Sequence, residues 1–185
     1  MSSGQTQDFF STQFLSPNRF RFDYLSPHPH KDLQFATTYH MVAYDGVDAF
    51  TYMRPFNGST IVTREKSLSA ALASMAGISR CAIYSVATML LDRIEGPSFL
   101  DLESLRFDSD ITLGDIVCYQ LVGTRDSIQF GIAIDKHSLM IRRVSMMDQE
   151  FESHELRFGI IANQAINDSI FRPPFEETRG LKGPG

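Results

Sequence analysis

The sequence predicts an α+β domain in which an antiparallel sheet is wrapped around one long central helix. Three observations carry this. Residues 57–80, NGSTIVTREKSLSAALASMAGISR, place Leu68, Ala71, Leu72, Met75 and Ile78 at the i, i+3, i+4, i+7, i+10 spacing of one apolar helical face. Most other positions there are small (Ser67, Ser69, Ala70, Ala73, Ser74, Ala76, Gly77, Ser79), so such a helix can be covered closely on several sides. A β-rich run precedes it, and strand-like runs separated by short polar turns follow it, which is the signature of an antiparallel meander.

Taken in order, residues 1–32 are polar or aromatic without periodicity and read as an extended arm, packed through Phe14, Phe20 and Tyr24 on the body or on a partner. His28, His30 and His40 offer metal ligands, and His30-Lys31-Asp32 offers a two-histidine-one-carboxylate iron set. That set needs a barrel of strands already built, and too little chain precedes it. These are read as chance histidines, and no metal is expected. The domain itself is expected over 33–168. Leu33 to Met53 is rich in β-branched and aromatic residues and reads as one long or bulged strand, interrupted at Asp45-Gly46 by a hairpin turn or a bend. Pro55 and Asn57-Gly58 end it, and the helix is expected from about Thr63 or Arg64. Cys81 to Leu91 either extends that helix or forms a strand after a break at Gly77.

Three strand-like runs follow: SFLDLESLRF at 98–107, GDIVCYQLVGT at 114–124 and SIQFGIAID at 127–135. Lys136-His137 reads as a hairpin tip leading into LMIRRVSM at 139–146. LRFGIIANQAI at 156–166 is an edge strand or a short helix, and 169–185 is expected to be a flexible tail.

At 185 residues with ordinary apolar content, one domain with long ends is the simplest expectation. A formal charge of −5 and a pI near 5.5 argue against a general nucleic-acid binder, which needs a basic surface. No run has the length of a membrane span and no secretory signal is recognisable. Cys81 and Cys118 make neither a disulfide framework nor a zinc-binding spacing. A cytoplasmic setting is expected.

Three stretches resemble the hot-dog fold superfamily of acyl-thioester hydrolases and dehydratases. They are FLDLESLRFDSDITLGDIVCYQLVGTRDSIQFGIAI (99–134), ALASMAG (71–77) and VAYDGVDAF (42–50), the last similar to the 4-hydroxybenzoyl-CoA thioesterase branch. Gly114-Asp115 matches that superfamily's Gly-Asp turn, with Asp110 or Ile111 near the place of its frequent proline. The resemblance implies hydrolysis of an acyl-CoA or acyl-carrier-protein thioester in fatty acid or polyketide metabolism. It also implies a homodimer or higher homo-oligomer, and no cofactor beyond the coenzyme A or phosphopantetheine of the substrate. Asp48 would polarise or attack the carbonyl, although Thr51-Tyr52-Met53 replaces the usual histidine-valine-asparagine. Asn57 would position the thioester. Ser74 falls where a helix carboxylate is usual, and Glu65 is the only carboxylate on the expected helix. One placed carboxylate suffices to activate water or attack a thioester. Backbone N–H groups of Gly58, Ser59 and Thr60, at the expected helix N-terminus, would hold the oxyanion.

Each residue also has a plain reading: Asp48 as a turn acid, Asn57 as a cap, Ser74 as packing, Glu65 as a solvated acid near a helix start. Alternatives on the same resemblance are a dehydratase, whose usual histidine and helix glutamate are not evident, and a non-catalytic acyl- or partner-binding module. Loss of the helix carboxylate supports the module. Cys81 suggests a further alternative, a loose resemblance to papain-like amidases. Gln129 stands where those need a histidine, so His40 or His137 would have to serve. Arg142 and Arg143 suit a CoA phosphate chemically.

Overall fold

The computed structural model describes residues 9–27, 37–55, 58–79, 82–91, 94, 101–147, 152–157 and 159–173. These residues form two separate five-stranded antiparallel sheets and two helices of nine residues each. The chain divides into two compact units, residues 1–97 with 166–185, and residues 98–165. This overturns the hot-dog expectation. There is no long central helix among the described residues, and the strands expected to wrap it belong to two sheets.

The first unit is a meander of β1 (Phe9–Leu15), β2 (Arg19–Pro27), β3 (Thr37–Tyr44), β4 (Ala49–Arg54) and β5 (Ile61–Glu65), in that spatial order. Residues 9–27, expected as an arm, are thus two of its strands. Asp45-Gly46 is a hairpin turn: Asp45 Oδ1 accepts from the N–H groups of Val47 at 3.0 Å and Asp48 at 2.9 Å, and Gly46 takes φ +99°. Ile61, Val62 and Thr63 pair with β4 rather than opening a helix, as their β-branched side chains favour.

Helix α1 (Leu68–Ala76) starts four residues later than expected from Arg64, where the Ser67 hydroxyl accepts from Ala70 N at 3.1 Å. It ends before Gly77. Helix α2 (Ala82–Leu90) follows, with Ala82 N donating to Ser79 O at 2.9 Å and Ile83 N donating to the buried Ser79 hydroxyl at 3.4 Å. Residues 82–90 are thus neither an extension of the first helix nor a strand: the chain breaks after Ala76 and starts a second helix.

Strand alternation gives this sheet two distinct faces. On one, Phe20, Phe22, Tyr24, Val42 and Ala49 pack with Ala71, Leu72 and Met75 of α1 and Ile83, Val86 and Ala87 of α2. The other carries Met41, Ala43, Tyr52 and Val62. Onto β2 and β3 comes the returning chain, a short 3-10 turn at Asp168–Phe171 with Phe171 fully buried. So the segment expected as a loose tail begins with a docked turn.

The second unit is a meander of β6 (Glu103–Leu113), β7 (Ile116–Arg125), β8 (Ile128–Asp135), β9 (Ile141–Met147) and β10 (Glu152–Leu156). Its described residues include no helix. Gly114-Asp115 turns β6 into β7 with Gly114 at φ +59°, and Asp126-Ser127 turns β7 into β8 with φ of +49° and +69°. Residues 136–138 form the tip between β8 and β9, as expected. The run at 156–166 is neither of the elements expected: β10 ends at Leu156, and the described residues from 157 to 166 are irregular.

Candidate functional site

Of the residues expected to act on a thioester, Asp48 and Glu65 lie on opposite faces of the first sheet. Asp48 lies just before β4 and is ion-paired to Arg64 on the sheet face away from the helices. Glu65 ends β5 and is no helix residue; its Oε1 accepts from Thr51 Oγ1 at 2.8 Å on the opposite face. Ser74 is an exposed α1 residue whose hydroxyl donates to Ala71 O at 2.8 Å, an ordinary intrahelical bond. Gly58, Ser59 and Thr60 lead into a strand, so their N–H groups gain nothing from a helix dipole. Asn57, Cys81, His28 and His30 lie outside the described residues. His40 and His137 sit in different units, on β3 and in the β8–β9 turn. Among the described residues no group of three side chains has a metal-ligating arrangement.

The second unit offers a different site. Register places Phe107 of β6 on the same sheet face as Val117, Tyr119 and Leu121 of β7, and Leu105 stands in the bulge between Glu103 and Arg106. Four of these are large apolar side chains left in water: Leu105 is 51 % exposed, Phe107 57 %, Val117 48 % and Tyr119 40 %. Phe107 and Tyr119 meet edge to face with ring centroids 6.2 Å apart. Lys136 stands 4.7 Å from the Tyr119 ring centroid and ion-pairs with Asp110. The segment that carries the row is acidic in sequence, with Asp101, Glu103, Asp108, Asp110 and Asp115 exposed against Arg106; register puts Asp110 on the row's own face, opposite Tyr119, and Glu103 and Arg106 on the other face.

β6 is also an edge strand, paired on one side only, by β7. Two register shifts interrupt it, between Glu103 and Arg106 and between Phe107 and Ser109, and Ser104 takes φ +54°. Bulges of this kind spoil a flat edge and work against addition of another strand. What β6 presents for contact is therefore its face.

Two other polar clusters are explained by the fold they hold. Arg21 forks onto Asp23, with Nε 2.9 Å from Oδ2 and Nη2 2.8 Å from Oδ1, while Nη1 donates to Ile170 O at 3.0 Å. Tyr39 donates its hydroxyl to the same carboxylate, and burial together with that bond pushes its phenol well above the usual value. The cluster fastens the returning chain to β2 and β3. Ion pairs Arg19–Asp168 and Arg172–Asp45 flank it. In the second unit, Asp135 accepts from Ser138 Oγ at 2.7 Å, Arg142 Nη2 at 2.8 Å and His137 N at 2.8 Å, which closes the β8–β9 turn and holds its carboxyl far below the usual range. This uses Arg142 structurally. Cys118 is a buried free thiol, pushed up by burial.

Comparison of the chain with protein-family models, curated proteins and solved structures gives no match. Among the described residues no helix is long and apolar enough to cross a membrane.

The apolar row was open to sequence reading in part. On β6, Leu105 and Phe107 alternate with polar residues, a pattern that marks one apolar face, whereas on β7 Val117 and Tyr119 flank the apolar Cys118. The signal does not say whether that face is covered, and the expected helix supplied a cover that the second unit lacks.

Proposed function

We propose that this protein is a partner-binding module, and that the β6–β7 face of its second unit docks a basic amphipathic helix of another protein. The exposed apolar side chains of Leu105, Phe107, Val117 and Tyr119 on an acidic segment of chain support this reading most directly. Solvated apolar clusters of this size are costly to leave exposed and mark interaction surfaces. Two adjacent strands span roughly 10 Å, the width of one helix. An apolar helical stripe would lie along the row, and lysines or arginines beside the stripe would suit the acidic segment that carries it.

The fate of the thioesterase residues supports a binding role as well. Asp48, Glu65 and Ser74 each serve a local contact, and Asp48 and Glu65 project to opposite faces of one sheet. A reaction would need them to converge.

The test uses two labelled 16-residue helical peptides with the same leucine stripe, one with lysine and one with glutamate elsewhere, followed by fluorescence anisotropy. The lysine peptide should bind, weaken with salt, and lose at least about tenfold in affinity to Phe107→Asp. Equal binding of both peptides, or binding unchanged in Phe107→Asp, sinks the reading. So does concentration-dependent dimerisation abolished by the same substitution, which would make a second copy the occupant. Thiol release from acyl-CoAs that is lost in Asp48→Ala would replace binding with thioester hydrolysis.

A further inference from the structure

The four edges of the two sheets differ in how far they are closed to a further strand. β5 has five residues and carries Arg64 and Glu65, β6 is bulged, and β10 has five residues of acidic sequence, ESHEL. Shortness, charge and bulges are the usual devices that keep an edge from pairing. β1 has none of them. Its seven residues, FFSTQFL, include no charge and no proline, and all seven pair with β2 without a register shift. Among the described residues β2 is its only neighbour in the sheet. We infer that the outer edge of β1 pairs antiparallel with β1 of a second copy of this chain, joining the two first-unit sheets about a two-fold axis at Thr12.

The strand's own sequence selects that partner. An antiparallel pair centred on Thr12 sets Phe9 opposite Leu15, Phe10 opposite Phe14, Ser11 opposite Gln13 and Thr12 opposite itself. Apolar then meets apolar and polar meets polar at every position. Centres one residue away lose this. A centre on Ser11 sets Phe9 against Gln13 and Phe10 against Thr12, and a centre on Gln13 sets Leu15 against Ser11 and Phe14 against Thr12. Phe10 and Phe14 lie on the helix-covered face, partly buried at the margin of its core, so Phe14 and Phe10 of the second copy would continue that core across the seam. On the other face the exposed Phe9 would gain Leu15 as a neighbour.

Two polar atoms point the same way. Among the described residues three buried side-chain nitrogens or oxygens lack a hydrogen-bond partner, and two of them, Thr12 Oγ1 and Gln13 Oε1, lie at the centre of this strand. Buried groups in that state are few in native proteins and call for a partner. Both residues are otherwise partly exposed, so an added strand can reach them. In the pair each Gln13 stands beside a Ser11 hydroxyl, which is a donor, and the two Thr12 hydroxyls stand beside each other, one donating and one accepting. The pair uses up the β1 edge of both copies, and β5 at the far end of each sheet is short and charged, so assembly stops at two. None of the pairing residues belongs to the second unit, and the inference does not rest on the docking reading.

Sedimentation velocity of the full chain, run from micromolar to millimolar concentration, tests this. A monomer–dimer equilibrium is expected. Ser11→Lys, which charges the edge at an exposed position, should weaken it at least about tenfold, and Phe107→Asp should leave it unchanged. A chain that stays monomeric throughout, growth past the dimer, or a dimer undiminished by Ser11→Lys would overturn the inference. So would a dimer abolished by Phe107→Asp, which would place the contact on the apolar row instead. Register is read separately by oxidising Thr12→Cys and Ser11→Cys side by side and identifying the cross-linked peptides by mass spectrometry. Thr12→Cys should link to itself several-fold faster, because residue 12 stands opposite its counterpart and residue 11 only diagonal to its own. Equal rates would overturn the Thr12 axis. These two changes are small, so the cross-linking decides even where Ser11→Lys disturbs folding.

Discussion

The two sheets of this protein have the same number of strands and the same meander order, yet their side chains live differently. In the first, helices α1 and α2 cover one face and the returning turn at Asp168–Phe171 comes onto the other. Phe20, Phe22, Val42 and Phe171 are fully buried as a result. In the second, the described residues include no helix to lie on either face, and the apolar residues of β6 all remain at least partly in water. A sheet becomes a core only when another layer is laid against it. The difference teaches where stability ends and recognition begins: the same β-branched and aromatic residues hold one sheet together and remain available to a partner on the other.

Matched truncations should break the symmetry between the sheets most visibly. Leu72→Ala empties a fully buried position beneath the first sheet and is expected to cost about 2–5 kcal/mol in urea unfolding. Phe107→Ala removes a larger side chain and should cost less than about 0.5 kcal/mol. Equal costs would mean that Phe107 is packed in solution and that the contrast is false.

Next in size, Arg21→Met severs the fork to Asp23 and the bond to Ile170 O together. A loss of about 2 kcal/mol is expected, since charge-assisted bonds to a half-buried carboxylate are worth more than neutral ones. Limited proteolysis should then cut within 166–173 well before the β1–β5 sheet. Unchanged cleavage there would mean that the turn is held by Phe171 alone.

The smallest effect sharpens the comparison through pH. His40 is 6 % exposed on the helix-covered face beside Tyr24, and burial lowers its imidazole from the ordinary 6.5. The unfolded chain therefore binds a proton in a range where the folded chain does not. The stability contributed by keeping His40 neutral is fully present above about pH 6.5 and is lost as pH falls toward the depressed folded value. His40→Leu should flatten that slope in unfolding measured between pH 7.5 and 5. An unchanged slope would show that other groups set it.

Much of the strand content was legible in the sequence, because 114–124 and 127–135 are strand-like runs separated by short polar turns. The architecture was not. Ser67 followed by Leu68, Ala71, Leu72 and Met75 marks the helix start correctly as a cap before the first apolar position. Extending the helix back to Thr63 ignored three consecutive β-branched residues. Phe14, Phe20 and Tyr24 were seen as anchors, but the alternation of FRFDY at 20–24, which places Phe20, Phe22 and Tyr24 on one face, was passed over. Of the site, Asp48, Glu65 and Ser74 owed their roles to a resemblance that assumed one sheet around one helix. In the first sheet Asp48 and Glu65 fall on opposite faces, so these two do not converge. The near-palindrome of FFSTQFL is visible in the sequence, but only the strand order makes that segment an edge.

The route of the chain through its two units carries a consequence for how the protein is made. The first unit leaves off at residue 97 and resumes at 166, with all of the second unit written between. At about 5–20 residues per second, residues 98–165 occupy a ribosome for roughly 3–14 s. Through that interval β1–β5 and both helices exist without Phe171, and Arg21 without Ile170 to hold. The unit that is started first is therefore completed only after the unit written inside it, and its nascent surface is one that a chaperone would meet before Phe171 arrives to cover it.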